Sequence, residues 1–441
     1  MKFIGNIDRL QSDSLAYRVY DKLNSILNDG EDSLLYYMFP VYSGNIDVGK
    51  VECNLLLLSR TYGVFYFDSK KIEETIEVAE NRIDNLYSCI TESFRRVPEL
   101  KKGRNSLKYD IITIFVSDDA VENALSEDFV FSDVNNIKDI LSDYQGEIDE
   151  RSFDLMQSCL DGTVQTIRKA LRPCVSHRLT KGAILNEIEK NIAKFDVEQK
   201  LAAAAETEGV QRIRGLAGSG KTIVLTQKAA NYHLKHPDDV ILYTYYTKAL
   251  HDTIKEHISR AYRYFSDNKE PNWDKIIICH AWGGAGTPGV YSLACEDSGA
   301  EALSYGQAIR LRGNDPFGAA CKLLLDNNNI KPRYDLILID EGQDFTPPFY
   351  QLCYQLSKNK KITWAYDDFQ NIFNVKIQDE RETFGKNEQG EYNVDFERDK
   401  FSNQDIVLKK CYRTPRYSLI SAFSLGLGIY NGKVLQRLDT N

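Results

Sequence analysis

The sequence predicts an α/β protein in which a domain built on a parallel sheet follows a smaller α/β domain. Three observations lead there. After Phe195 five short apolar runs of β type, GVQRIRG, DVILYTYY, KIIICHAW, YDLILIDE and KKITWAYDD, alternate with helical or loop segments, as strands of a parallel sheet covered by helices do. A glycine-rich turn stands between the first of these runs and a helical stretch. Before residue 120, two further apolar runs flank an amphipathic helix.

In chain order, Leu15, Val19, Leu23 and Ile26 form the apolar stripe of an opening helix. Leu55 to Phe67, broken at Arg60-Thr61-Tyr62-Gly63, reads as a hairpin turning near Gly63. Ile72, Ile76, Ala79, Ile83, Leu86 and Ile90 fall at steps of four and three, which predicts a helix over 71–90. Tyr109 to Val116 reads as a buried strand. Residues 1–125 are thus expected to form the smaller domain and 126–195, mostly helical and charged, a connector. The larger domain is expected over 196–404, with 405–441 beginning another.

At 441 residues, with 42% apolar and 27% charged side chains, the chain is long enough to bury sizeable cores. Collagen-like, low-complexity and disordered classes are excluded. No stretch approaches the ~20 uninterrupted apolar residues of a membrane span, and MKFIGNIDRLQ lacks the apolar core of a signal peptide. A soluble, cytoplasmic protein without membrane partners is expected. Nine cysteines without a CxxC pair read as reduced thiols and argue against a structural zinc site. The net charge of −9 excludes a general polycation, yet a local basic groove suffices to hold nucleic acid.

Gly215-Leu216-Ala217-Gly218-Ser219-Gly220-Lys221-Thr222 matches GxxxxGK[ST] between a strand and a helix. In such a loop backbone N–H groups wrap phosphates, Lys221 reaches the β and γ phosphates, and the Thr222 hydroxyl ligates Mg²⁺. Leu336 to Ile339 leads into Asp340 and Glu341, a pair able to hold the metal and face an attacking water, respectively. ATP and Mg²⁺ are the expected ligands.

Asp340-Glu341-Gly342-Gln343-Asp344 resembles the DEAQD box of superfamily 1 helicases of the UvrD/Rep type, and further boxes follow in order. The resemblance implies a RecA-like P-loop NTPase domain over about 195–441. It implies an adenine-reading role for Gln199, coupling of γ-phosphate to DNA by Gln370, and contact of Arg413 with the γ-phosphate. Thr244, Tyr245 and Tyr246 lie in a segment similar to motif Ia, and His280 and Trp282 in one similar to motif Ib. Both segments are implied to contact single-stranded DNA, and their aromatics suit base stacking. Gly342 stands where alanine is usual. Motifs V and VI are not found after Arg413, so a second RecA-like domain is expected to be truncated and the chain to be a fragment with slow turnover.

Toward the amino end, Glu52 and Asn54 before the hairpin and Asp68 and Lys70 after it have the outline of a PD-(D/E)xK nuclease core. This segment resembles the nuclease-related domain of some bacterial helicases. The resemblance implies a Mg²⁺ site at Glu52 or Asn54 with Asp68, and Lys70 at the water or phosphate. Asn54 stands where a carboxylate is expected, so weak cleavage or none is anticipated. The expected function is an ATP-dependent DNA helicase or translocase moving 3′ to 5′. The alternative is a DNA-stimulated ATP switch that gates a nuclease or partner protein in anti-phage defence. A kinase is disfavoured because no kinase catalytic loop is present.

Overall fold

Each of the two sheets in this chain is assembled from the apolar runs of its own part of the sequence. The computed structural model describes residues 1–5, 7–27, 33–38, 41–43, 50–52, 54–69, 75–103, 106–117, 130–144, 146–161, 197–205, 207–247, 250–266, 268–283, 286–311, 314–327, 330–367, 379–400, 403–412 and 416–426. The chain divides into two units, Met1–Ala205 with Ala261–Glu270, and Glu206–Arg260 with Pro271–Asn441. Both larger sheets are mostly parallel, compatible with a Rossmann- or RecA-like fold. Among the described residues no helix is long and apolar enough to cross a membrane.

The first unit runs β1 (Lys2–Ile4), α1 (Ile7–Ser12), α2 (Ser14–Ile26), β2 (Ser33–Tyr37), β3 (Val41–Ser43), β4 (Lys50–Glu52), β5 (Leu55–Ser59), β6 (Gly63–Asp68), α3 (Ile76–Arg95), β7 (Ile111–Val116), β8 (Val130–Ser132), α4 (Ile137–Asp143), α5 (Glu150–Leu160) and α6 (Val197–Ala204). Its six-stranded sheet has the order β1-β2-β5-β6-β7-β8. The hairpin forms as expected: β5 and β6 pair antiparallel and Gly63 turns the chain at φ 111°. A left-handed backbone of that kind favours glycine. Every residue of β5 and β6 is buried, so the sheet is covered on both faces.

Asp13 caps α2 by accepting from the Ala16 N–H at 3.0 Å, and Val19 and Leu23 pack with Leu35, Leu57, Phe65 and Ile114 in one core. The expected stripe appears on α3, where Ala79, Ile83, Leu86 and Ile90 are buried. Residues 71–74, including Ile72, lie outside the described residues.

Two boundaries differ from expectation. Residues 130–161, expected within a connector, supply strand β8 of the sheet and helices α4 and α5. Helix α6 also counts with the first unit, so the division falls after Ala205 rather than after residue 195. Its anchor is ionic: Lys200 Nζ lies 2.9 Å from Asp161 Oδ2 with both side chains buried, and the Tyr36 hydroxyl donates to Asp161 Oδ1 at 3.3 Å. Burial pushes the Asp161 carboxyl up to about 6, against the pull of Lys200.

The second unit runs β9 (Val210–Gly215), α7 (Lys221–Lys235), β10 (Ile241–Tyr245), α8 (His251–Phe265, whose last residues count with the first unit), β11 (Ile276–His280), α9 (Val290–Ser298), α10 (Tyr305–Leu311), α11 (Pro316–Asn327), β12 (Leu336–Ile339), α12 (Pro347–Leu356), β13 (Ile362–Tyr366), α13 (Glu380–Phe384), α14 (Phe396–Asp399), β14 (Asp405–Leu408) and α15 (Arg416–Gly426). The five expected strands all form and pair in parallel in the order β11-β10-β12-β13-β9, with a sixth strand, β14, beyond β9. Strand β14 was not expected within this sheet. It pairs parallel to β9, and Asp405 accepts from both Arg212 and Arg214. Residues 405–408 thus complete this sheet rather than open another.

A parallel sheet carries the carboxyl ends of all its strands to one edge, where crossover folds place their ligand sites. Here β13 lies between β9 and β12, so the turn after β9 and the acids ending β12 and β13 share that edge.

Candidate nucleotide-binding site

The turn from β9 into α7 is shaped by three glycines. Gly218 and Gly220 adopt φ of 80° and 89°, and a Cβ on Gly215 would run into Ser219 Oγ and stand 3.0 Å from Leu408 Cβ. Gly220 is the N-cap of α7 and offers no side-chain bond to the helix amides, which leaves that end able to receive an anion. Ser219 is fully buried in the turn. Lys221, the first residue of the helix, folds its ammonium back to donate to Gly215 O at 2.8 Å and Leu216 O at 3.1 Å. Asp367 Oδ2, just past β13, lies 3.9 Å from the same nitrogen.

The Asp340 carboxylate accepts from the Tyr243 hydroxyl at 3.0 Å and the Glu341 N–H at 2.9 Å, and the Thr222 side chain lies beside it. Asp340 is fully buried. Its carboxyl is pushed up to about 6 by that burial first and by Glu341 second, while the neighbouring Thr222 and the bond from Tyr243 pull it down. Burial likewise pushes the Tyr243 phenol well up, so it remains a donor.

Glu341 sits in the left-handed region at φ 52°, an uncommon backbone for a non-glycine residue that turns the chain sharply after β12. Its Oε2 accepts from Gln343 Nε2 at 2.6 Å, and Gln343 Oε1 accepts from the Asp367 N–H at 3.1 Å. Asp344, half-buried, is held up to about 6 by burial and by Glu341. Farther along, the Cys411 thiol donates to Ala217 O and the Tyr412 N–H to Gly218 O, each at 3.0 Å.

The donors fit Mg²⁺. Thr222 and Asp340 present only oxygen, which this hard cation prefers, and a Mg²⁺ held by one carboxylate with substrate phosphates and water needs no protein cage. Among the described residues no set of three or more His, Cys, Asp or Glu side chains is placed to hold a metal. The expected residues Gly215, Gly218, Ser219, Gly220, Lys221, Thr222, Asp340 and Glu341 therefore come together. Gln370 and Arg413 lie outside the described residues. Gln199 lies in the first unit, buried on α6.

Comparison of the sequence with protein-family models and with curated proteins finds no match. The remaining expected residues are placed as follows. Thr244 is fully buried in β10 and Tyr245 is 3% exposed, so neither presents a face for base stacking. Tyr246 packs 5.6 Å from the Phe345 ring and 6.1 Å from His280. Trp282 stacks on Phe317 with ring centres 5.1 Å apart, and its indole N–H donates to Leu303 O. His280 Nδ1 faces the Trp282 N–H at 3.1 Å. Tyr246, His280 and Trp282 keep part of their surface exposed, and Tyr305, 63% exposed, stands 5.8 Å from Trp282.

In the first unit Asn54 and Asp68 do meet, with Asn54 Nδ2 donating to Asp68 Oδ1 at 3.2 Å. The Mg²⁺ implied there does not fit the residues described. Asp68 is buried, pairs with the Arg82 guanidinium at 2.9 Å, and accepts from the Tyr66 hydroxyl at 2.6 Å and the Ser69 N–H at 2.8 Å. An arginine thus supplies the positive charge a metal would bring. Glu52 belongs to β4, which pairs with β3 in a separate two-stranded sheet, so it does not share a strand with Asn54 as expected. Lys70 lies outside the described residues.

Asp68→Asn is accordingly expected to lower the melting temperature, because Arg82 loses its buried anion, without changing plasmid nicking in Mg²⁺ or Mn²⁺. Nicking by the native chain that vanishes in Asp68→Asn at unchanged melting temperature would restore the nuclease reading.

Proposed function

We propose that the second unit binds ATP with Mg²⁺ and hydrolyses it, and that the chain works as a superfamily 1 DNA helicase or translocase, moving 3′ to 5′, with a nuclease-related first unit. The observation that carries the reading is the approach of the Thr222 side chain to the Asp340 carboxylate. It joins the last residue of the glycine motif to the acid of the DEGQD box, 118 residues apart in sequence, as a shared phosphate and metal site requires.

In this reading the amides of residues 216–222 and the N-terminus of α7 hold the phosphates, and Lys221 shifts from its loop carbonyls to the β and γ oxygens. Thr222 and Asp340 hold Mg²⁺, which supplies charge neutralisation at the phosphates when bound. Glu341, fixed by Gln343, orients water for attack on the γ-phosphate. The part-exposed Tyr246, His280 and Trp282 offer aromatic surface to single-stranded DNA.

The burial of Thr244 and Tyr245 and the pairing of Asp68 with Arg82 favour a second reading, a DNA-stimulated ATP switch that gates a partner nuclease without unwinding. The two are separated by measuring ATP hydrolysis with and without single-stranded DNA, together with strand displacement on a duplex with a 3′ overhang. DNA stimulation is expected in both readings and displacement only in the first. Failure of the native chain to bind ATP removes both.

A further inference from the structure

We propose that Asp367 is the resting counter-ion of Lys221, against which an incoming triphosphate must compete, and that Gln343 is the strut that fixes Glu341 to the strand end carrying Asp367. The inference rests on the nucleotide-binding reading and assigns two positioning residues within it.

The contacts close a ring. Lys221 faces Asp367, the Asp367 N–H is bonded to Gln343, and Gln343 to Glu341. The Glu341 N–H is bonded to Asp340, whose carboxylate lies beside the side chain of Thr222, the residue next to Lys221. Every member of the arc between Lys221 and Glu341 is poorly hydrated. Lys221 and Asp367 side chains are 7% and 1% exposed, and Gln343 is 2% exposed. Water therefore screens the ring weakly, and each charge depends on its protein partners.

Lys221 spends its donors on two loop carbonyls and lies toward the Asp367 carboxylate. To reach phosphate it must give up part of this set. Asp367 opposes binding twice, by holding the ammonium and by presenting negative charge beside an anion. The second grows with the charge of the ligand, so ATP feels it more than ADP. Gln343 acts on the other side of the ring. Its amide bridges the backbone after β13 and the Glu341 carboxylate, on a residue whose left-handed backbone breaks away from β12. Losing the bridge releases the carboxylate without touching the phosphate loop.

The test uses the full chain with Mg²⁺, measuring ATP and ADP affinity by calorimetry, steady-state turnover, and melting temperature as a check on folding. Asp367→Asn is expected to bind ATP about tenfold more tightly, with a smaller gain for ADP. Gln343→Met is expected to keep both affinities within about twofold while kcat falls about 10- to 100-fold. A merely structural role would lower the melting temperature and move neither quantity in this split. Should Asp367→Asn fail to fold, Asp367→Ser is read in its place. ATP and ADP affinities that stay unchanged or move equally in the Asp367 variant overturn its role, and native turnover in Gln343→Met overturns the strut. If the native chain itself does not bind ATP, the nucleotide reading fails and this inference falls with it.

Discussion

Glu341→Gln should bind ATP as the native chain does and hydrolyse it about 10²- to 10⁴-fold more slowly, the usual worth of a positioned acid or base. The amide keeps the size of the carboxylate and its bond with Gln343, but it cannot take or orient the proton of an attacking water. Lys221→Ala should instead lose ATP affinity, because Lys221 is the cation at the mouth of the glycine loop. Binding measured by calorimetry and turnover measured by phosphate release separate the two variants. Native turnover in Glu341→Gln would mean that another group activates the water.

Lys200→Met should destabilise the first unit by about 3–5 kcal/mol, the cost of leaving one buried charge without its partner. Asp161 and Lys200 are buried together, and no exposed water shell is at hand to replace the ammonium. The sign of the pH dependence follows from the raised carboxyl. Asp161 ordinarily titrates near 3.8 and is held up to about 6 by burial. Its contribution to stability is therefore full below about pH 4 and is lost as pH rises through about 6. Without Lys200 the ionised form is costlier still, so the deficit of Lys200→Met should be larger at pH 8 than at pH 5. Urea unfolding at both pH values measures it, and a deficit below ~1 kcal/mol at pH 8 would show that the pair does not lock α6 in place.

Where chemistry and geometry are local, the sequence was informative. The glycine motif needs only a strand before it and a helix after it, and both are present; the hairpin at Gly63 follows from a short break between apolar runs. What escaped depended on partners distant in the chain. Asp405-Ile406-Val407-Leu408 is too short to announce a strand, and its place beside β9 is secured by Arg212 and Arg214 some 190 residues earlier. Asp68 reads as a metal ligand until Arg82, one helix away, is seen to occupy it. Thr244 and Tyr245 are marked only by the resemblance of their segment to motif Ia. A short apolar run does not reveal whether its sheet is covered on both sides; here both residues are buried. The roles of Gln343 and Asp367 are not legible in the sequence, because they lie in a bond between the ends of β12 and β13.

The bonds from Cys411 and Tyr412 to the glycine turn have a consequence for synthesis. Cys411 and Ala217 are 194 residues apart, and β9 is flanked in the sheet by β13 and β14, both of which leave the ribosome long after it does. At about 5–20 residues per second the turn waits roughly 10–40 s for its last partner. During that interval β9 has two open edges, each a template for pairing with the wrong strand. The two arginines of β9 then serve the nascent chain as well as the finished one: they place charge on an edge that would otherwise be sticky, and they are neutralised only when Glu380 and then Asp405 arrive.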